Sequence, residues 1–116
     1  MFNRGQREEP VDANGFHDRG NVYSRHGNYE RAVQDYNRAI EMDGDFAEAY
    51  YDRGCSYHEV GLNEQAIADL TRAIELNPEA ARYYARRSLA YVFTDHIDLA
   101  EADEEMCDTL RERGFE

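Results

Sequence analysis

The chain has no lysine; all 13 of its basic residues are arginine, set against 25 acidic ones for a formal net charge of −12. That balance argues against two partners. A nucleic-acid backbone and an anionic membrane surface would both be repelled by such a field. With only Cys55 and Cys107, there is no disulfide framework. No apolar run approaches the roughly 18 residues of a membrane helix. The opening MFNRGQREEPVD lacks the apolar core of a signal peptide. The default expectation is a cytoplasmic protein. No glycine loop of the phosphate-binding kind is present. The missing lysine is compatible with a GC-rich genome and with a saline habitat, and it specifies no function. With 116 residues, 41% hydrophobic and 33% charged, the composition fits one small domain with much exposed surface.

What the chain does have is a period. Asp-Arg-Gly at Asp18–Gly20 returns at Asp52–Gly54, 34 residues later, and Ser88 follows at the same spacing. Tyr23, Tyr57 and Tyr91 share the period, as do Ala32, Ala66 and Ala100. Counting from Ala13 and Ala47 without gaps, the first two copies agree at 13 of 34 positions. A fixed period of this length marks a stacked array of one supersecondary unit. Three copies, 13–46, 47–80 and 81–114, follow a 12-residue segment expected to be a mobile tail.

Each copy reads as two helices. In the second, Ala47, Tyr50, Tyr51, Gly54, Tyr57 and Val60 recur at helical spacing, and so do Ala66, Ile67, Leu70, Ala73, Ile74 and Leu76. The predicted helices cover 13–26, 29–42, 47–60, 63–76, 81–94 and 97–112. Gly61 is placed as a helix stop and Asn63 as the next start. Asp45 with Glu48 reads as a capping box. Asn77-Pro78 reads as a cap followed by proline at the first helical position. Small residues at Gly20, Gly54 and Ser88, facing Ala32, Ala66 and Ala100, let the paired axes approach. Arg19, Arg53 and Arg87 recur, as do Asp35, Asp69 and Asp103. They are assigned to the scaffold, with each guanidinium near a carboxylate.

The aromatics Phe16, Tyr50 and Tyr84, the small residues above, the turn glycines Gly27 and Gly61, the repeated alanines and Pro78 together resemble the tetratricopeptide repeat family. The resemblance spans about nine tenths of the chain. Departures gather in the third copy, where Asp95 replaces the turn glycine, Glu104 the large apolar residue and Cys107 the alanine. The resemblance implies an all-α, right-handed superhelix of three helix-turn-helix hairpins. It also implies a concave groove lined by the first helices and a protein-binding scaffold rather than an enzyme.

On those first helices the positions expected to face the groove change along the array. The first copy offers Asn14, His17, Asp18, Asn21, Ser24 and Arg25, and the second offers Glu48, Tyr51, Asp52, Cys55, His58 and Glu59. The third offers Arg82, Arg86, Leu89, Val92 and Phe93. The bland account is that exposed helix residues drift freely. The functional account is a peptide-binding groove, acidic at first and then cationic and apolar, that takes a segment of mixed polarity. Chaperone adaptors of the family grip an acidic C-terminus with a carboxylate clamp. Asn21, Arg82 and Arg86 match its positions, His17 stands where lysine is usual, and Asp52 stands where asparagine is expected. That substitution opposes a carboxylate and argues against the standard specificity. Self-assembly through Leu89, Val92 and Phe93 is the alternative, giving a homo-oligomer.

Cys55 and His58 lie three apart on one face, with Asp52 a turn earlier and His17 across the groove. Four such groups could hold a transition ion. No Cys-x-x-Cys or His-x-x-x-His spacing supports a metal, and none is expected. A Cys–His nucleophile lacks an orienting group, and no cofactor is implied. Finally, Val33, Tyr36 and Ile40, and then Ile67, Leu70 and Ile74, become Glu101, Glu104 and Asp108 in the third copy. This reads as a self-made cap on a three-repeat array, with Met106, Cys107 and Leu110 packing inward.

Overall fold

The computed structural model describes residues 9–116. Those residues form six helices and no strand: α1 (Ala13–Arg25), α2 (Tyr29–Met42), α3 (Ala47–Glu59), α4 (Asn63–Leu76), α5 (Ala81–Phe93) and α6 (Ile97–Glu112). Every helix begins where the periodicity places it, and each end falls within one residue. The pairs α1–α2, α3–α4 and α5–α6 are antiparallel hairpins. α2 packs on α3, α4 packs on α5, and successive first helices touch. The result is an all-α superhelix of three hairpins, 57 × 28 × 21 Å. Of the segment expected to be a mobile tail, residues 1–8 lie outside the described residues. Beyond them, Asp12 caps α1 by accepting a hydrogen bond from the Gly15 amide at 2.7 Å.

Within a hairpin, close approach is set by the small residue of the first helix. A Cβ at Gly20 would lie 2.6 Å from the Tyr36 ring, and one at Gly54 would lie 3.0 Å from Leu70 Cγ. Glycine inside a helix costs about 1 kcal/mol relative to alanine; here it leaves room for a large residue from the facing helix. Ser88 is tolerated because Glu104 replaces the large side chain there, and its hydroxyl donates to Glu104 Oε1 at 3.3 Å.

The turns use one device three times. The Asn28, Leu62 and His96 amides reach back to the Tyr23, Tyr57 and Tyr91 carbonyls at 2.8–2.9 Å. The residue before each is left-handed: Gly27 at φ 77°, Gly61 at 82° and Asp95 at 63°. This is a Schellman stop, and aspartate is among the few residues that replace its glycine at modest cost.

The other capping assignments are corrected. α3 starts after Phe46 with no side-chain cap, so Asp45 and Glu48 form no capping box. The Asp45 amide donates to Asp43 instead. Asn63 begins α4, as placed, and the residue ahead of it, Leu62, makes no side-chain cap. Asn77 ends α4, and Pro78 lies in the turn ahead of α5, whose N-cap is Ala80. Near these starts Ala49, Ala66 and Ala81 are fully buried at the seams.

Each scaffold arginine grips the aspartate of its own hairpin with two nitrogens. The pairs are Arg19–Asp35 at 2.8 and 2.9 Å, Arg53–Asp69 at 2.7 and 2.8 Å, and Arg87–Asp103 at 2.7 and 2.8 Å. A third nitrogen leaves the hairpin. Arg53 Nη1 donates to Asn37 on α2 and Arg87 Nη1 to Thr71 on α4, while Arg19 Nη1 finds Glu9. The guanidiniums sit within 6 Å of the aromatic rings one turn to either side, Tyr50 and Tyr57 in the case of Arg53.

On α6, Cys107 and Leu110 are buried as expected, whereas Met106 is 44% exposed. Asp103, Cys107 and Leu110 take the inward face of α6, which leaves Met106 outside it. Glu101, Glu104 and Asp108 are all exposed.

Two expectations follow. Arg53→Ala should lower stability by about 2–3 kcal/mol in urea unfolding, since it leaves buried Asp69 unpaired and opens the α2 contact. Arg53→Lys should recover little, because a point charge cannot fork. Replacing Glu101, Glu104 and Asp108 with the isoleucine, leucine and isoleucine of the preceding copy should produce self-association in sedimentation velocity. A variant that stays monomeric at high concentration would show that these carboxylates are not what keeps the face free.

Candidate functional site

The groove positions lie on α1, α3 and α5, and contacts between successive copies decide what each side chain offers. On α1, Asp18 is 82% exposed and free of strong contacts, with His17 Nδ1 3.9 Å away. His17 itself is nearly enclosed. Its ring packs against Phe46 and Tyr36, and its Nε2 lies 2.6 Å from Asp52 Oδ2 on α3. Asn21 accepts a hydrogen bond from the Tyr36 hydroxyl at 2.6 Å, which ties it to its own hairpin. The central carboxylate of the groove is therefore held by a histidine from the preceding copy.

On α3, Tyr51 stacks on Tyr83 of α5 with ring centroids 4.8 Å apart. Burial pushes its hydroxyl up to about 12, with Cys55 adding to the shift and Arg86 opposing it. Burial also pushes the Cys55 thiol up to about 11. His58 turns away from Cys55: its Nδ1 lies 2.5 Å from Asn63 Oδ1, and its ring meets Phe93 edge-on at 5.1 Å. Cys55, His58, Asp52 and His17 thus do not converge. Among the described residues no three His, Cys, Asp or Glu side chains are grouped to hold a metal ion. Nor is Cys55 paired with a base that would activate it.

On α5 the two arginines are not bare. The Arg82 guanidinium contacts the Glu48 carboxylate and lies over the Tyr51 and Tyr83 rings, at 5.6 and 5.0 Å. Glu48 also accepts the Tyr83 hydroxyl at 2.8 Å. Arg86 Nη1 is 3.8 Å from Glu59 Oε1. Beyond them Leu89, Val92 and Phe93 are exposed, Phe93 at 68%. The structure thus holds Asp52 with His17 at the seam between the first and second copies, and brings Tyr51, Cys55, Arg82 and Arg86 toward the seam between the second and third. It leaves Asp18 alone at one end and the apolar shelf at the other. Glu48, Glu59 and Tyr83 complete this seam. The signal for the carboxylates was present in the sequence: Glu48 and Arg82 occupy the same position of successive copies with opposite charge.

The chain matches the family description "TPR repeat" over residues 20–61 and "Tetratricopeptide repeat" over 47–80. Among solved structures it is similar to the second TPR of Spaghetti (RPAP3) bound to the HSP90 peptide SRMEEVD. Identity is 34% over 85% of this chain and 92% of that one, with a TM-score of 0.84. The second TPR domain of human RPAP3, in complex with the HSP70 peptide SGPTIEEVD, is 35% identical over 84% of this chain and 82% of that one, with a TM-score of 0.82. MamA, at 24% identity and TM-score 0.85, shares the fold; the match covers 89% of this chain and 60% of MamA. No curated protein matches the chain in sequence.

The half-buried Cys55 thiol yields a direct measurement. With its ionisation held near 11, Cys55 should react with iodoacetamide at pH 8 roughly 10- to 100-fold more slowly than an unperturbed cysteine. The rate should still be climbing at pH 10, as read by mass spectrometry of the Cys55 peptide. A plateau below pH 9 would contradict the enclosure described for this residue.

Proposed function

The chain belongs to the tetratricopeptide repeat family, and from that premise we propose that it is a peptide-binding adaptor rather than an enzyme. Its concave face takes a segment of mixed polarity. The observation that carries this is the reversal of charge along the groove. Asp18, Glu48, Asp52 and Glu59 stand on α1 and α3, and Arg82 and Arg86 stand one turn apart on α5. Two arginines at that spacing can share one carboxylate, and the tyrosine rings beneath Arg82 hold its fork in place. The ligand's acidic group lies at this pair. An apolar side chain lies on Leu89, Val92 and Phe93, and basic residues run back toward the carboxylates of α3. Likeness to RPAP3 domains bound to chaperone peptides supports a short protein segment as the ligand class. Among the described residues no helix is long and apolar enough to cross a membrane. The surrounding acidity disfavours nucleic acid as the partner.

A second reading has its own support. Asn21, Arg82 and Arg86 match a carboxylate clamp, which makes a chaperone co-factor with an altered centre the rival hypothesis. There, His17 and Asp52 stand where lysine and asparagine are usual. A third, self-assembly through the apolar shelf, would use the same exposed Leu89, Val92 and Phe93.

Calorimetry separates these readings. Acidic, basic and mixed peptides are titrated at two salt concentrations, with the protein's oligomeric state followed in parallel. The mixed peptide should bind tightest, and Arg86→Asp should weaken it about tenfold or more. Asp52→Asn should improve binding of the acidic peptide. Tightest binding by the acidic peptide, unaltered by Asp52→Asn, would favour the chaperone reading. Concentration-dependent dimerisation abolished by Phe93→Ser would favour the third.

A further inference from the structure

The molecule contains two kinds of arginine–carboxylate pair, and their difference carries a further step. The scaffold pairs are forked and 2.7–2.9 Å long, on carboxylates 6–8% exposed, with Arg19 30%, Arg53 20% and Arg87 17% exposed. The groove pairs are open: Arg82 and Arg86 are 42% and 37% exposed, and neither forks onto its carboxylate. An open, single-point ion pair contributes little to stability and exchanges readily. Both groove pairs cross from α3 to α5, so each arginine of the ligand-facing helix already has a carboxylate in contact or close by.

Resting on the adaptor reading above, we infer that Glu48 and Glu59 are specificity-determining residues of the groove. They accompany Arg82 and Arg86 until a ligand's acidic group takes the arginines, and then present their carboxylates to a basic side chain beside that group. The ligand recognised is thus a segment with an acid and a base adjacent in sequence. A ligand carrying only acids would displace Glu48 and Glu59 and leave them without a counter-charge next to Asp52, whose own neighbour is His17. It would gain one pairing while losing another. A ligand with a basic residue next to its acid gives the nearer of the displaced carboxylates a new partner. Glu48 keeps one anchor throughout in the Tyr83 hydroxyl, which holds it at the seam after Arg82 is taken. Glu59 has no such anchor among the described residues and is the more mobile reader of the two.

The test crosses two peptides with three proteins. SRMEEVD supplies the all-acidic end, and SRMREVD differs from it by one residue that places a base beside the remaining acids. Wild type, Glu59→Gln and Glu48→Gln are titrated with both by calorimetry, and thermal melts confirm that each protein is folded. The wild type should prefer SRMREVD by about tenfold. In Glu59→Gln, binding of SRMEEVD should tighten about fivefold and the preference should shrink to within about twofold, with a smaller change in the same direction for Glu48→Gln. Binding of both peptides with neither substitution altering the preference would overturn the inference and leave the adaptor reading standing. Binding of SRMEEVD by Glu59→Gln alone would support it in its strongest form. Failure of both peptides to bind any of the three folded proteins would overturn the groove reading itself, and the inference with it.

Discussion

The forked pairing of one arginine with one aspartate, repeated in each hairpin, is the constraint on which the rest of this structure depends. Arg19, Arg53 and Arg87 close on Asp35, Asp69 and Asp103, whose carboxylates are almost wholly removed from water. A buried carboxylate is tolerated only when paired and hydrogen-bonded. Each hairpin therefore has one low-energy register, the one that brings fork to carboxylate. The aromatic rings one turn to either side cover the guanidinium and keep it flat against the seam. Such a pair stabilises less than its contact distances suggest, because both ions are desolvated. Its larger contribution is geometric. The third nitrogen, bonded to Asn37 or Thr71, fixes how each hairpin sits on the one before.

With the scaffold held from the seams, the concave face is free to vary, and its charges answer one another across copies. His17 meets Asp52, Glu48 meets Arg82, and Glu59 approaches Arg86. In each case the partner comes from the neighbouring copy. The scaffold pairs are forked onto nearly buried carboxylates, whereas the pairs between α3 and α5 are more exposed. Residue types that look alike in the sequence therefore do opposite work, separated by exposure and by whether the guanidinium forks.

The third copy shows the same logic at the end of the described array. Glu101, Glu104 and Asp108 stand where the earlier copies have large apolar residues that receive the next hairpin. Glu104 replaces the side chain that fills the space over the small residue of the first helix. Ser88 then bonds the new carboxylate where Gly20 and Gly54 admit a ring or a leucine. The departures of this copy are thus coupled: changing the large residue changes what the small one must do.

The sequence by itself determined the hairpins, their starts, the turn residues, the scaffold pairs and the exposed acidic face of α6. All of these follow from a period of 34 and from local rules of helix geometry, and three copies reinforce each reading. The same period places Arg82, Arg86 and Asp52 on the first helices, the face proposed to bind a ligand. Several matters needed the tertiary structure. The capping roles expected of Asp45 and Asn77-Pro78 were not taken up: α3 and α5 start after Phe46 and Ala80 without a side-chain cap. Met106 faced outward because its neighbours Cys107 and Leu110 took the inward arc. The pairing of His17 with Asp52, and of Glu48 with Arg82, depends on the tilt between consecutive first helices. That tilt is a sum of side-chain volumes over a whole seam, and no single residue spacing encodes it.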